Sequence, residues 1–278
     1  MNILMTGASG YIGANYLEEA NNIDREIFPV DLIPGKNMIK ADVCKPLDID
    51  VGQPLGVIHL AGISRSGSGE EDPRKTFEVN VQGTVNVLDF AIQHEARWVI
   101  LAGTHEDSGG AYSTSKRLMK DVAKYYASRG LKIGVLNLSY IYSGIGEPTD
   151  RLIPRFVSKA IRNELISIDA PHLQFDFISV QDVVAGFCLF EDYIERTNVN
   201  YTECDLCTGI GTKITDLAKL IIKTIGSSSR LVIDTRKAAY VSLPDPTFFN
   251  THVNDFKKKR LEEEIIYFCE NANGSVKQ

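Results

Sequence analysis

Tyr112 and Lys116 stand four residues apart in Gly109-Gly-Ala-Tyr-Ser-Thr-Ser-Lys116. If the segment is helical, that spacing puts a phenol and an ammonium on one face, one turn apart. A free phenol has a pKa of about 10, too high for a base at neutral pH. A neighbouring ammonium and the positive end of a helix both favour the phenolate and raise the fraction able to accept a proton. Such a pair can move the proton that accompanies a hydride transfer. The same spacing also begins ordinary polar helices, so its chemistry depends on what the chain brings beside it.

A second device lies at the start. Thr6-Gly-Ala-Ser-Gly-Tyr-Ile-Gly13 follows the apolar run Asn2-Ile-Leu-Met-Thr and opens a helical segment. Its glycines are spaced G-x-x-G-x-x-G: Gly7 permits a tight turn, Gly10 lets backbone approach a pyrophosphate, and Gly13 brings the helix close to the sheet. Ser9, Tyr11 and Ile12 share this turn, whose N–H groups and helix dipole attract an anion. Asp31 ends the next strand, 18 residues beyond Gly13, with Leu32 after it. A carboxylate there accepts from ribose hydroxyls and repels a 2′-phosphate. No Arg follows closely and Lys36 is the nearby cation, so NAD is favoured over NADP. Capping of a turn by Asp31 is the alternative. Asp42 and Val43, after the run Met38 to Ala41, fall where an adenine edge would lie.

These side chains need a scaffold, and the hydrophobic pattern supplies one. Strands are expected over Asn2–Thr6, Glu26–Val30, Gly56–Ala61, Arg97–Ala102 and Lys132–Leu138; helices are expected over Tyr11–Asn21, Thr76–His94 and Tyr112–Ser128. Apolar runs alternating with helices indicate a parallel sheet covered on both faces. From about Tyr142 the rhythm changes. Ser143 to Thr149 reads as a loop, and Leu152–Asn163 and Ser179–Phe190 read as amphipathic helices. The expected fold is α/β, a Rossmann-type doubly wound parallel sheet with a small mixed α/β C-terminal substrate lobe. Residues 1–142 form the dinucleotide-binding domain and 143–278 mainly the lobe, with about 165–195 returning to the core.

The chain has 278 residues, 44% hydrophobic and 24% charged, which suits a globular protein with a sizeable core. Its net charge of −6 argues against non-specific nucleic-acid binding. The five cysteines are scattered, and no secretory pattern opens the chain, so a reducing cytoplasm is expected. Cys204-Asp-Leu-Cys207 has metal or redox spacing but lacks a second pair and alternates like a strand, so no metal site is assigned. No apolar run reaches the ~20 residues of a membrane helix. Lys257-Lys-Lys-Arg-Leu-Glu-Glu-Glu264 reads as a solvated helix face with Lys258–Glu262 and Lys259–Glu263 pairs.

Thr6–Gly13, Asp31, His59-Leu-Ala-Gly62, Phe77-Glu-Val-Asn80-Val-Gln-Gly-Thr84 and Tyr112–Lys116 occur in order. Together with Gln174–Val184 and Cys207–Ile214, they resemble the extended short-chain dehydrogenase/reductases of the NAD-dependent nucleotide-sugar epimerase/dehydratase family over about residues 1–220. The resemblance implies that Tyr112 is the general acid/base and that Lys116 binds nicotinamide-ribose hydroxyls and lowers the tyrosine pKa. The hydroxyl that holds the reacting oxygen falls on Thr104. Leu60, Ala61, Gly62 and Asn80 join the cofactor site, and Ser64, His105, Glu106 and Tyr140 are candidates on the substrate side. The implied partner is a nucleotide sugar, and the implied assembly is a homodimer through Thr76–His94 and Tyr112–Ser128.

Three departures bear on the substrate. Seven residues separate Thr104 from Tyr112, a shorter link than in many relatives and similar to that of some 4-keto-sugar reductases. Glu106 sits where some sugar dehydratases keep a catalytic Glu, and is equally read as a solvated loop residue. Phe175 and Asn137 stand where many relatives have Arg. The expected function is NAD(P)-dependent hydride transfer at a sugar carbon, C4 of a nucleotide sugar, as a 4-ketoreductase or an epimerase/dehydratase. The alternatives are an NAD-dependent dehydrogenase of a free sugar or uronate, and a non-catalytic NAD-binding regulator.

Overall fold

Short apolar runs, buried on both sides, pair edge to edge at the centre of the molecule. The computed structural model describes residues 1–20, 25–52, 55–64, 66–105, 109–142, 147–234, 243–253 and 256–276. The first half of the chain runs β1 (Asn2–Thr6), α1 (Tyr11–Ala20), β2 (Glu26–Asp31), β3 (Ile39–Lys40), β4 (Leu55–His59), α2 (Ser66–Glu71), α3 (Pro73–Phe77), a π-helical turn (Glu78–Gln82), α4 (Gly83–Gln93), β5 (Trp98–Thr104), α5 (Ala111–Ser128) and β6 (Ile133–Leu138). The remainder runs β7 (Tyr140–Tyr142), α6 (Leu152–Ile161), β8 (Ile166–Ile168), β9 (Gln174–Ser179), α7 (Val180–Arg196), β10 (Tyr201–Leu206), β11 (Gly211–Lys213), α8 (Ile214–Ile225), β12 (Leu231–Ile233), α9 (Thr247–His252) and α10 (Leu261–Val276).

Seven parallel strands form the main sheet in the order β10-β6-β5-β4-β1-β2-β3. β4 and β5 are buried along their whole length, which is why they read as continuous apolar runs. Successive side chains alternate between faces. Ile3, Met5, Ile58 and Ile100 pack with Tyr16 of α1 and with Val183, Phe187 and Phe190 of α7. Leu4, Val57, Val99 and Leu101 pack with Val87 and Leu88 of α4 and with Met119 and Ala123 of α5. A third core joins Phe156 of α6, Phe177 of β9, Leu217 and Ile221 of α8 and Ile265 of α10. It surrounds two small sheets, β11-β9-β7 and β12-β8.

The direction of strand order reverses between β1 and β4, and this opens the crevice at their carboxyl ends where ligands of such sheets bind. Thr6 and His59 are register partners there, joined Oγ1 to Nδ1 at 2.6 Å. The His59 Nε2 lies 3.2 Å from the Thr84 hydroxyl of α4. Full burial, followed by the nearby Lys116 charge, pushes the His59 pKa down to about 3, so this support beneath the crevice stays neutral.

The chain departs from the periodicity at two places. The helix expected at Thr76–His94 begins earlier, because Asp72 caps Lys75 N and Pro73 occupies the first turn; it then widens into the π turn before α4 resumes. Residues 257–260 precede α10 rather than continuing it. The expected Lys258–Glu262 and Lys259–Glu263 pairs are replaced: Lys258 donates to Thr208 O and Asn250 Oδ1, and Lys259 pairs with Glu264 at 3.4 Å. Tertiary acceptors outcompete a solvent-screened helix pair there. Cys204 lies in β10 as the alternation predicts, and Cys207 follows it; both thiols are buried.

Candidate active site

The glycine turn between β1 and α1 has glycine where nothing larger fits. Gly7 adopts φ +70°, and a Cβ there would sit 2.5 Å from Ala61 N. At Gly13 a Cβ would meet Gly7 O at 2.5 Å, so this glycine seats α1 on the turn itself. Asp31 at the end of β2 accepts from Ser9 N at 3.0 Å and from Ile33 N at 3.1 Å, which aims the carboxylate across the turn. Hydrogen bonds from Cys44 hold the Asp42 carboxyl below its usual range, fixing an anion at the far end.

β5 and α5 build the opposite side. Thr104 ends β5 and is 9% exposed; Tyr112 and Lys116, on the first turns of α5, are each 7% exposed. Lys116 Nζ donates to Ala102 O at 2.7 Å. Burial, and then the charge of Lys120, pushes the Lys116 pKa down to about 8. α2 packs on the helix start: a Cβ on Gly69 would lie 3.0 Å from Tyr112 Cβ, and Glu70 accepts from Ala111 N. This carboxylate caps the start of α5.

One cavity of about 1450 Å³ joins both sides. Gly7, Ser9, Gly10, Tyr11, Ile12 and Gly13 line it at the turn; Asp31, Leu32, Asp42 and Val43 line its far end; Leu60, Ala61, Gly62 and Ser64 follow β4. Thr104, His105, Tyr112, Lys116 and Tyr140 line it on the other side. Asn80 is absent from this wall: it is buried in the π turn, where its amide bonds both Ile63 N and O and donates to Ser115 Oγ at 2.9 Å. Its contribution is to hold the wall. His105 turns Nδ1 to Asp205 at 3.2 Å. Glu106 and the loop start at Ser143 lie outside the described residues.

The structure adds residues the sequence did not single out. Lys75 and Val79 line the end near Asp42 and Val43, and Arg151 and Arg155 line the end near α6. Arg151 lies 5.8 Å from the Tyr11 ring centroid and 5.1 Å from that of Tyr140, while Tyr140 packs on Phe175 at 5.3 Å. The two arginines stand four residues apart at the start of α6, a spacing that could have marked a cationic face. The donor set fits a dinucleotide: backbone N–H groups at a helix start, a strand-end carboxylate, and a lysine and a tyrosine one helical turn apart on the cavity wall.

A model of the NAD dependent epimerase/dehydratase family matches residues 3–200. The chain is 26% identical over 225 residues to UDP-glucuronic acid decarboxylase 6 of Arabidopsis thaliana, a match covering 67% of this chain and 64% of that relative's length. It is 24% identical over 271 residues to a putative UDP-glucose 4-epimerase of Methanocaldococcus jannaschii, covering 84% of this chain and 85% of that one. The solved UDP-glucose 4-epimerase of Thermotoga maritima, crystallised with UDP-glucose, superposes with a TM-score of 0.82 at 20% identity, covering 99% of this chain and all of that one. With the matched model spanning the glycine turn, Asp31 and the Tyr112–Lys116 pair, the chain belongs to the NAD dependent epimerase/dehydratase family.

Proposed function

We propose that this chain is an NAD-dependent enzyme that moves a hydride and a proton at a carbon of a nucleotide-linked sugar, with C4 the position the family resemblance favours. The observation that carries the reading is the convergence of Thr104, Tyr112 and Lys116 on the cavity that also holds the glycine turn and Asp31. A nicotinamide cofactor bound along the turn supplies the hydride acceptor and donor. The Thr104 hydroxyl holds the reacting oxygen, and Tyr112 takes or returns its proton. Lys116 as an ammonium favours the phenolate and faces the same wall. Arg151 and Arg155, beside the aromatic rings of Tyr140 and Phe175, suit the diphosphate and base of a nucleotide. The names of the relatives support a UDP-sugar. The lobe after residue 142 is assigned the sugar nucleotide, and the exposed Ile92, Leu118 and Tyr125 of α4 and α5 are assigned to a homodimer contact.

The test is to purify the chain, identify any bound dinucleotide, and assay UDP-sugars and their 4-keto forms with NADH, NADPH or no added cofactor. Epimerisation, decarboxylation or dehydration without added cofactor fits a retained, recycled NAD; stoichiometric NADH consumption fits the 4-ketoreductase. Tyr112→Phe is expected to lower turnover by a factor of about 10²–10⁴. Bound dinucleotide with no turnover of any sugar, or full activity of Tyr112→Phe, overturns the assignment.

A further inference from the structure

Tyr112, Lys116 and Lys120 follow one another at four-residue steps along α5, so a second ammonium stands one turn behind the first. α5 connects two parallel strands and therefore runs back against β5. Despite this, Lys116, nearer the helix start, reaches Ala102 O at 2.7 Å, whereas Lys120, a turn later, reaches Thr104 O at the strand's end, 3.4 Å away. Both ammonium groups are thus held against carbonyls only two residues apart on β5. Lys120 is held in this pose from the other side by Glu203 of β10, at 2.9 Å. Glu203 also accepts from the Tyr201 hydroxyl at 2.7 Å and from Asn137 Nδ2 at 3.2 Å. Asn137 donates as well to Asp205, at 3.0 Å, and Asp205 is the partner of the cavity-lining His105. An exposed lysine pair would contribute little; here the side chains of Lys120 and Glu203 are 18% and 29% exposed and each bonds a group behind the site.

We propose that Lys120 is a positioning residue of the proton-transfer corner, acting through the charge of Lys116 and through the Thr104 end of β5, with Glu203 as its counter-ion. The consequence for turnover rests on the function proposed above, but the consequence for Lys116 does not. Among the described residues, the charged and titratable groups around the pair include His59 from β4, Tyr112 and Lys124 from α5, His105 after β5, and Tyr201, Glu203 and Asp205 from β10. His59 is held neutral by its burial. Lys120 is the charge that, after burial, pushes Lys116 down to about 8. Removing Lys120's charge relieves like-charge repulsion and lets Lys116 keep its proton to higher pH. Removing Glu203's charge leaves Lys120 uncompensated and has the opposite sign.

The direct test is an NMR titration of the full chain with ¹³Cε-labelled lysine, with the Lys116 signal identified by its loss in Lys116→Arg. In Lys120→Gln the Lys116 midpoint is expected to rise by about one pH unit; in Lys120→Arg it stays at the wild-type value, and in Glu203→Gln it falls. An unmoved midpoint in Lys120→Gln, or shifts of the same sign in the Gln variants at 120 and 203, overturns the proposal. If Lys120→Gln fails to fold, the downward shift in Glu203→Gln decides the matter. The alkaline limb of the turnover profile is expected to move with Lys116 in each variant, relative to wild type. An active enzyme whose limb stays fixed while Lys116 moves overturns the link to turnover. A wild-type chain that turns over no sugar refutes the proposed function, and the titration still decides the role of Lys120.

Discussion

Lys116 is a charge held where water is scarce, and that has a cost. Its pKa, pushed down to about 8 by burial and by Lys120, lies below the ordinary lysine value that the unfolded chain retains. The sign follows from proton binding. Below about pH 8 both states carry the proton and the folded state bears the full penalty; as pH rises towards the unfolded value, only the unfolded chain keeps its proton and the penalty is relieved. The penalty is on the order of 3 kcal/mol. Lys116→Met removes it but forfeits the bond to Ala102 O, worth about 1 kcal/mol. The variant is expected to be inactive yet about 1–2 kcal/mol more stable at pH 7, with the gain shrinking by pH 10, as read from urea midpoints at both pH values. A midpoint at or below wild type at pH 7 would show that the buried charge costs nothing. Tyr112, Lys116 and the glycines were legible in the sequence because each belongs to a contiguous motif whose spacing states its geometry. Glu203 and Asp205 were not, because their partners Lys120, Asn137 and His105 lie on other elements.

Elements are tied across the molecule by single polar groups, and among the described residues Asp176 of β9 is the densest such tie. Its carboxylate accepts from Ser139 Oγ at 2.9 Å, Thr208 N and Oγ1 at 2.9 Å each, Gly209 N at 2.5 Å and Ile210 N at 3.0 Å. It thus fastens β9 to the turn that follows β10 and to the residue between β6 and β7. Phe175, its neighbour, lines the cavity beside Tyr140. Asp176→Ala leaves these donors without their acceptor and is expected to cost about 2–4 kcal/mol in urea unfolding. Because the seam it holds borders the Tyr140–Phe175 side of the cavity, which the proposed function gives to the sugar nucleotide, KM for that ligand is expected to rise at least tenfold while the dissociation constant of NAD changes less than twofold. Equal losses for both ligands would mean that the seam serves the whole cavity. The periodicity that announced β1, β4, β5 and α5 could not announce this seam. Nor could it announce the π turn, because a one-residue insertion hides inside a pattern of apolar residues that α3 and α4 both satisfy. The basic run 257–260 misled for a related reason: its i, i+4 pairs are real in sequence, but Thr208 O and Asn250 offered Lys258 better partners.

At the scale of the whole molecule, the alternation of apolar runs with helices was enough to give a parallel sheet, and the glycine turn located its ligand edge. The return of β10 to the far side of β6 was not legible, because an edge strand with the pattern Tyr-Thr-Glu-Cys-Asp-Leu reads the same in any sheet. That return matters: β10 sets Glu203 against Lys120 and Asp205 against the cavity-lining His105. The cavity itself draws on segments from residue 7 to residue 244 and closes only when the fold is complete. A ligand filling it binds the folded state and not the unfolded chain, so occupancy must appear as stability. NAD at a hundredfold excess over its dissociation constant is expected to add about 2.7 kcal/mol, a rise of about 5–8 °C in the midpoint for a chain of this size. Asp31 sets the comparison with NADP. Its carboxylate is pinned by Ser9 N and Ile33 N, so it cannot swing away from a 2′-phosphate, and the like charges repel. At equal concentration NADP is therefore expected to raise the midpoint by less than half as much. Asp31→Asn keeps an acceptor in place while removing the charge, and should narrow that gap chiefly by improving NADP. Thermal scans of the two proteins with the two cofactors decide it: equal shifts for NAD and NADP in the wild-type chain would refute the role of Asp31, whatever the chain proves to do with its sugar.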